Sequence, residues 1–378
     1  MKRHMVIAAV AGAAVLLAAC STGAPSGGAA ATARGTPPGG SVIDQPITGT
    51  TGPNGERPSP VSEMKLTPDE IATLRAGHYT AAQLWHTSSA FINAVQRGAD
   101  TEFQRLGIEV VATTSANMDA GAQANQVQTT MAKKPSVILS LPVDPVSAAQ
   151  AFQPALSQGA KLVFLSNVPT GYSYGKQYSS IVTDDLFAMG KLAAEALGNS
   201  LGGKGKVGVI FYNAQYYVTN QRDAAFVDTL KKEFPAIQIV AEQGFSDASA
   251  TQQIASAMLT QHPDLDGIYV SYSQPAAEGV LAALRTVSNT HAKLVTLDID
   301  NPVMVDLATG GNTVAVIADQ AYDLGVGMAD AAAYALLGKQ APPFAVAGAL
   351  SITKDTIAQG YQASLHQPAP DELSKLPR

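Results

Sequence analysis

From about residue 80 onward, short apolar runs alternate with segments whose apolar residues recur at helical spacing. The runs are typical of strands buried on both faces of a parallel sheet, and the spaced segments are typical of amphipathic helices. The clearest helical segments are 186–199, 220–233 and 275–287. Ten strands are predicted, at 82–87, 108–113, 136–141, 161–166, 180–183, 206–211, 237–242, 267–272, 293–298 and 313–318.

This alternation predicts an α/β fold of parallel sheets with right-handed crossovers. The chain has 378 residues, which is more than one hydrophobic core usually organises. A glycine-rich run, Leu201-Gly202-Gly203-Lys204-Gly205, lies midway through the alternating region. The sequence therefore predicts two Rossmann-like lobes.

The first twenty residues have a different pattern. Lys2 and Arg3 precede an apolar stretch, 6–19, that is too short to span a membrane and is typical of a signal peptide. The run Leu17-Ala18-Ala19-Cys20 resembles a bacterial lipobox, whose cysteine is acylated and becomes the mature N-terminus. The alternative is an ordinary signal peptide with an incidental cysteine. We expect a signal peptide at 1–19 and an exported protein that reaches the extracytoplasmic side of the membrane through a lipid on Cys20.

Residues 21–60 are rich in glycine and proline, a composition that cannot bury enough apolar surface to offset the entropy of ordering. We expect a flexible, lipid-anchored linker over 20–65. Order should resume at Thr67-Pro68-Asp69-Glu70, which has the pattern of a capping box with proline in the first helical position. The helix that begins there is predicted to end at Gly77.

Composition excludes several classes of protein. The net charge is −6, and no cluster of lysine and arginine follows the first few residues, which argues against a nucleic-acid partner. The single cysteine excludes a disulfide framework and a thiolate metal cluster. The six histidines are scattered without metal-ligand spacing, and we expect neither a metal nor a cofactor.

Ligands of parallel α/β sheets bind at the carboxyl ends of the strands. Aromatic rings there can cover CH groups, while arginine and aspartate offer forked donors and acceptors. Some of these residues have structural alternatives: Trp85 could lie in the core, Asp298 could cap a helix and Tyr217 could pack at a lobe edge. Asp184 and Asp185 are expected to cap the next helix. The candidate ligand-binding residues are Trp85, His86, Ser89, Phe91, Ser166, Asn167, Tyr217, Arg222, Tyr272, Ser273, Asp298 and Asp319.

Several further motifs, in order and spacing, carry a resemblance that extends from about residue 81 to about residue 357. They are Ser136-Val-Ile-Leu-Ser-Leu-Pro-Val-Asp-Pro145, Gly203-Lys-Gly-Lys-Val-Gly208, Ala241-Glu-Gln243, His262-Pro-Asp-Leu-Asp-Gly267, Gly279-Val-Leu-Ala-Ala-Leu284 and Val295-Thr-Leu-Asp298. With these motifs the chain resembles the type I periplasmic substrate-binding proteins of ABC sugar importers, within the ribose-binding cluster.

The resemblance implies two lobes joined by three crossovers that close over a solute in the cleft. It places the N-terminal lobe at 66–183 plus 320–345, the C-terminal lobe at 184–319 plus 346–366, and a tail at 367–378. The hinges would lie near 183–185, 318–320 and 343–345. The implied partners are a sugar, polyol or similar small polar solute and an ABC permease, with the membrane reached through the lipid alone, and we expect a monomer.

The family's helix-start arginine corresponds to Arg222, and its strand-end aspartate corresponds to Asp298. Other positions depart from the family. The Asp-Arg after the fourth strand is replaced by Ser166-Asn167, and the Asn-Pro after the third strand is replaced by Leu141-Pro142. Ser273 replaces an asparagine and Asp319 replaces a glutamine. Half of the family's polar clamp is therefore different, which supports a small polyhydroxylated or carbonyl-bearing solute better than it supports ribose itself.

Two other functions use the same fold. A sensor would present its open and closed states to a membrane kinase or chemoreceptor, and the sequence does not separate this role from import. A hydrolytic enzyme is the weaker alternative, because no Gly-x-Ser-x-Gly elbow, Walker loop or Gly-x-Gly-x-x-Gly fingerprint follows a strand. We therefore expect no enzymatic activity.

Overall fold

The structure is a computed structural model that describes residues 47–374. The predicted signal peptide at 1–19, Cys20 and the linker as far as residue 46 lie outside the described residues, as do residues 375–378.

Seven strands form the first sheet, and all of its pairings are parallel. Their spatial order is β1-β12-β6-β5-β4-β2-β3. The strands are β1 (Ser59–Pro60), β2 (Thr80–Trp85), β3 (Glu109–Ser115), β4 (Val137–Ser140), β5 (Lys161–Leu165), β6 (Ser180–Asp184) and β12 (Phe344–Ala347).

Six strands form the second sheet in the order β13-β11-β10-β9-β7-β8. All of its pairings are parallel except the one between the edge strand β13 and β11. The strands are β7 (Lys204–Tyr212), β8 (Ala236–Phe245), β9 (Gly267–Val270), β10 (Lys293–Leu297), β11 (Thr313–Ala318) and β13 (Leu350–Ile352). The two sheets confirm the predicted α/β fold with two parallel-sheet lobes.

Helices connect the parallel strands and cover the sheets. Helix α1 begins at Thr67, where the predicted capping box forms, and it ends at Gly77. The helices are α1 (Pro68–Ala76), α2 (Ala90–Leu106), α3 (Ala120–Thr130), α4 (Pro145–Ala151), α5 (Gln153–Ser157), α6 (Leu186–Ser200), α7 (Tyr217–Glu233), α8 (Thr251–Gln261), α9 (Glu278–Thr286), α10 (Asn301–Thr309), α11 (Ala321–Leu336), α12 (Ile357–Leu365) and α13 (Asp371–Ser374). Within residues 47–374 none of these helices has the length and apolar character that a membrane span requires.

The predicted helix at 275–287 is too long at its N-terminal end. Helix α9 begins only at Glu278, and a separate irregular turn, Ser273–Ala277, precedes it. Gln274 inside this turn has an extended backbone, and the residue before a proline is sterically disfavoured in the helical region. The turn brings Tyr272 and Ser273 to the end of β9.

Close packing of two helix pairs depends on glycine. At Gly98 of α2 a Cβ atom would lie 1.9 Å from the carbonyl oxygen of Tyr322, and at Gly325 of α11 it would lie 1.9 Å from that of Val95. Gly190 of α6 approaches the carbonyl oxygen of Arg222 in the same way. The absence of side chains at these positions lets α2 and α11, and α6 and α7, pack backbone against backbone.

The chain passes between the two sheets three times in the described residues. The crossovers lie between β6 and α6, between β11 and α11, and between β12 and β13. The first two coincide with segments where hinges are predicted. The third differs from the prediction: 343–345 enters β12 of the first sheet, so the passage falls at 348–349.

The predicted linker differs from the structure over residues 47–65. We call residues 47–60 the strap, because this segment bonds to both lobes. On the second lobe, Asp185 accepts hydrogen bonds from the backbone of Thr48 and from the Thr50 hydroxyl, and Tyr217 donates to the Thr51 carbonyl. On the first lobe, Ser59 and Pro60 pair with β12. Hydrogen-bonded partners thus order a segment whose composition alone predicts disorder.

The described part of the predicted tail, 367–374, also packs on the protein. Leu373 is buried, and Glu372 accepts a hydrogen bond from the side chain of Asn301 in α10. The C-terminal residues as far as 374 therefore belong to the folded domain, because α13 covers α10.

Candidate functional site

A cavity of about 520 Å³ lies between the carboxyl ends of the two sheets. Its volume is within the range of about 300–1,000 Å³ that is usual for small-molecule sites. The first lobe contributes loops after β2, β4 and β5, and the second lobe contributes loops after β7, β8, β9 and β10. Asp319, at the second crossover, completes the lining.

Arg222 and Asp298 form an ion pair in this cavity, in which the arginine side chain is 5% exposed and the aspartate side chain is 24% exposed. The Nη1 atom of Arg222, in the second turn of α7, lies 2.9 Å from Oδ1 of Asp298 and 3.9 Å from Oδ1 of Asp319. Burial lowers the pKa of Arg222, but Asp298 and Asp319 outweigh this effect and raise it above its usual value. Arg222 is the sole lysine or arginine among the described lining residues, and it stays charged.

Two lining residues hold a left-handed backbone. Ser166 after β5 has φ = 54°, and Asp298 after β10 has φ = 69°. Such values are uncommon for residues other than glycine, and they concentrate at functional sites. The Ser166 hydroxyl bonds that of Thr183, and the Asp298 carbonyl accepts a hydrogen bond from Ser273. These contacts fix both strand ends toward the cavity.

Carboxyl groups connect the cavity to the first two crossovers. Asp319 faces Arg222 beside Asp298, and Asp184, at the end of β6, accepts a hydrogen bond from the backbone N–H of Gln320, the residue after Asp319. Burial, followed by the charges of Asp298 and Asp184, raises the pKa of Asp319 well above its usual range. Burial also raises the pKa of Asp184 to about 7. Among residues 47–374, no group of three or more His, Cys, Asp or Glu side chains is arranged to hold a metal ion.

Aromatic rings form one wall of the cavity. Tyr212 packs edge-on against Tyr216 and Tyr272, with ring centroids 5.8 and 5.9 Å apart, and Phe245 supports Tyr212 and Tyr272 from behind. The His86 ring of the first lobe lies 6.5 Å from Tyr216 of the second. Such a wall offers apolar faces and hydroxyl groups to a ligand.

His86 is neutral at physiological pH. Burial lowers its pKa to about 4, and the charge of Asp298 only partly opposes this effect. The neutral imidazole can donate from one ring nitrogen and accept at the other.

Four lining residues carry buried polar atoms with no hydrogen-bond partner among the described residues. They are Nδ1 of His86, the Tyr216 hydroxyl, Nε of Arg222 and Oδ2 of Asp300. A buried polar atom without a partner costs about 1–3 kcal/mol. An arginine N–H, a carboxyl oxygen, a hydroxyl and an imidazole nitrogen around one cavity are an arrangement that a polyhydroxylated ligand could satisfy.

The structure brings nine of the predicted site residues together around the cavity: His86, Ser89, Phe91, Ser166, Arg222, Tyr272, Ser273, Asp298 and Asp319. Ser89 also caps α2, where its hydroxyl accepts from the backbone of Ile92. Whether each of the nine contacts a ligand stays a prediction.

Three predicted residues do not line the cavity. Trp85 is the last residue of β2 and is 1% exposed within the core of the first lobe. Asn167 is fully buried, and its Oδ1 accepts a hydrogen bond from the backbone of Val218 across the cleft, at 3.3 Å. Tyr217 points outward to the Thr51 carbonyl of the strap.

Sequence reasoning missed other lining residues. Tyr212, Tyr216, Asp247 and Asp300 line the cavity and are not among the candidate residues. Asp247 follows β8, which ends at Phe245, three residues beyond its predicted end. Burial, followed by the nearby Glu278, raises the pKa of Asp300 to about 7. The position of these residues just after strands was the available signal.

Comparison with known proteins extends these observations. A family model described as a periplasmic binding protein domain matches residues 83–340. A xylitol-binding protein from Mycolicibacterium smegmatis is 24% identical over 212 residues, which is 56% of this chain and 59% of that protein's length.

Solved structures of low sequence identity share the fold. An ABC transporter solute-binding protein from Agrobacterium vitis, bound to α-D-tagatopyranose, has a TM-score of 0.69 at 22% identity and covers 77% of this chain and 100% of its own. An arabinose-binding protein from Geobacillus stearothermophilus has a TM-score of 0.67 at 20% identity, over 75% and 99% of the two chains.

Proposed function

The chain belongs to the periplasmic binding protein domain family, and we propose that it is the solute-binding protein of an ABC importer for a sugar or polyol. This family is one of binding proteins and not of enzymes. The main observation behind this proposal is the ion pair between buried Arg222 and Asp298 in the cavity. The same cavity is lined by buried polar atoms that have no hydrogen-bond partner among the described residues.

The chemistry of the cavity supports a polyhydroxylated ligand. Arg222 and Asp298 offer a forked donor and a carboxylate acceptor, which are suited to neighbouring hydroxyl groups. Tyr212 and Tyr272 offer ring faces to the CH groups of such a ligand. The names of similar proteins are consistent with this class, since they bind xylitol, tagatopyranose and arabinose.

Closure of the two lobes is the proposed mechanism of capture. Both lobes contribute lining residues, so a ligand would contact both sides and stabilise the closed form. The three crossovers would bend at 184–186, 318–321 and 348–349. The closed, loaded form would then dock on a permease.

Calorimetry and thermal unfolding of the purified protein test the ligand class. The panel is xylitol, D-arabinose, D-tagatose, D-allose and D-fucose, together with amino acids and dicarboxylates as members of other solute classes. We expect at least one sugar or polyol to raise the Tm at concentrations above its Kd. If no sugar or polyol changes the Tm and an amino acid or dicarboxylate does, the proposed ligand class is wrong.

Arg222→Ala tests the position of the site. Arg222 is the buried member of the pair, and its removal takes away the guanidinium donor of the cavity and leaves Asp298 without its partner. We expect affinity for the bound sugar to fall about 100-fold, a loss of about 3 kcal/mol. The matched control is Arg285→Ala on α9, where the arginine side chain is 62% exposed and lies outside the cavity lining. Equal affinities of the two variants would place the ligand elsewhere.

A lipid on Cys20 is the proposed means of attachment to the membrane, on the strength of the sequence Leu17-Ala18-Ala19-Cys20. The expected location is the extracytoplasmic face of the bacterial membrane. Cys20→Ala should release the protein from the membrane fraction into the soluble fraction. Continued membrane association of this variant would contradict a lipid anchor at this residue.

A further inference from the structure

Two carboxyl groups meet where the chain first crosses between the lobes. Asp184 ends β6, and Asp319 follows β11. They are 2% and 4% exposed. Oδ1 of Asp184 accepts a hydrogen bond from the backbone N–H of Gln320, the residue after Asp319, at 2.9 Å. Asp319 lines the cavity, whereas Asp184 lies behind it.

The charges around this pair do not balance if every group is ionised. Asp298, which follows β10, and Asp319 both face Nη1 of Arg222, at 2.9 and 3.9 Å, and Arg222 is the one cation facing the three carboxyl groups among the described residues. His86, after β2, is neutral. Three carboxylates and one guanidinium would leave two negative charges unbalanced, and Asp184 and Asp319 are both buried.

Asp223, which follows Arg222 in α7, does not change this balance of charges. Asp223 faces away from the pair and accepts hydrogen bonds from Tyr269 and Ser271, at 2.6 and 2.8 Å. Burial raises the pKa of Asp223 to about 6. It contributes no positive charge that could stabilise a second carboxylate beside Arg222.

A buried carboxylate that no cation balances is costly, and a carboxyl group in such a place becomes neutral by keeping its proton. We propose that Asp319 is a neutral carboxylic acid at physiological pH, that Asp184 is the positioning residue that keeps it so, and that the cavity therefore selects an uncharged polyhydroxylated ligand. This inference rests on the proposed function for its ligand, though not for the proton itself.

A neutral Asp319 can both donate and accept hydrogen bonds, as a side-chain amide does. It carries a carbonyl oxygen that accepts and a hydroxyl that donates, the same two functions that a glutamine offers. Buried carboxyl groups held neutral at pH 7 are known to act as donors in this way. The raised pKa values of Asp319 and Asp184 agree with a protonated carboxyl group at Asp319.

The proton is tested first without any ligand. At a pH where an unfolded aspartate is ionised, native Asp319 still holds its proton, so the free energy of unfolding of the wild type should fall as the pH rises from about 5 to about 9. Asp319→Asn cannot titrate, and we expect the difference between it and the wild type to change over this range. The control is Asp228→Asn at an exposed position on α7. A difference that is constant with pH overturns the proposal.

Ligand binding supplies the second test, by calorimetry with xylitol and D-arabinose at about pH 6 and about pH 9. Wild-type affinity should fall about tenfold for each pH unit above the point where Asp319 loses its proton. Asp319→Asn should bind within about threefold of the wild type at pH 6 and show no decline. Asp319→Ala should bind weakly at both values.

Asp184→Asn tests the positioning role. Without the carboxylate behind it, Asp319 should lose its proton at a lower pH, so the decline in affinity should begin at a lower pH than in the wild type. A merely structural role would lower affinity equally at every pH.

Two outcomes overturn the proposal. One is that Asp319→Asn binds as weakly as Asp319→Ala at pH 6, which would mean that the ionised form is needed. The other is a wild-type affinity that does not change with pH. If neither probe binds at any pH, the proposed function loses its support, while the unfolding comparison still decides whether Asp319 holds a proton.

Discussion

At the scale of single residues, the cavity depends on the orientation of a few side chains at strand ends. Trp85 and His86 are adjacent, yet the tryptophan is 1% exposed in the core and the histidine lines the cavity. Neighbouring residues of a strand point to opposite faces. A polar-aromatic stretch at a strand end was readable from the sequence, but which of its members faces the cleft depends on where the strand stops.

The depressed pKa of His86 predicts an effect of pH on stability. Its folded pKa of about 4 lies below the usual value, so the neutral ring stabilises the fold above about pH 6.5, and this contribution is lost as the pH falls toward 4. We expect the wild type to lose stability relative to His86→Asn between about pH 7 and about pH 5, measured as the free energy of unfolding. His86→Gln should match His86→Asn, and a pH-independent difference would contradict a buried neutral histidine.

At the scale of elements, the apolar runs of the sequence predicted the ten strands from β2 to β11. The three strands that the sequence did not predict are β1, β12 and β13. They have two to four residues, and β12 reads Phe-Ala-Val-Ala, which is no more apolar than its neighbours. Their pairing depends on partners that are distant in sequence, such as Ser59 with Ala345. The local order of apolar and polar residues does not predict a pairing between segments so far apart in the chain.

The strap is likewise ordered by contacts with residues that are distant in sequence, and its hydrogen bonds can be tested. The Thr50 hydroxyl donates to the buried carboxylate of Asp185 and accepts from the backbone of Phe187. Thr50→Val keeps the shape of the side chain and removes both bonds. We expect a loss of about 2 kcal/mol in the free energy of unfolding, because a hydrogen bond to a charged group is involved.

The control for this change is Thr73→Val, since that hydroxyl bonds only a helix carbonyl at an exposed position of α1. Denaturant unfolding of the two variants measures the difference. Equal midpoints for Thr50→Val and the wild type would show that the strap does not stabilise the domain.

At the scale of the whole molecule, opening and closing of the lobes should set the affinity. The hydrogen bond from the Val218 backbone to Asn167 joins the lobes beside the cavity, which Val218 lines and Asn167 does not. Asn167→Ala should raise the fraction of open molecules and weaken binding of a panel sugar about fivefold or more, although Asn167 lines no part of the cavity. Calorimetry measures the affinity and small-angle scattering measures the radius of gyration.

The exposed Asn199→Ala in α6 is the matched control for this variant. It should leave both the affinity and the unliganded radius of gyration at wild-type values. An unchanged affinity in Asn167→Ala would mean that this contact does not bias the lobes toward closure. The predicted two-lobe organisation follows from strand and helix periodicity, but contacts of this kind depend on how the lobes meet and were not readable from the sequence.

The strap makes the protein suited to use as an optical sensor. It bonds to Tyr217 on one lobe and runs in the β1 strand of the other, so any relative movement of the lobes must change its surroundings. Thr51, whose carbonyl oxygen accepts the bond from Tyr217, is exposed and outside the cavity lining. A fluorescent dye on a cysteine at Thr51 would report occupancy from the outer surface, without competing with the solute for space.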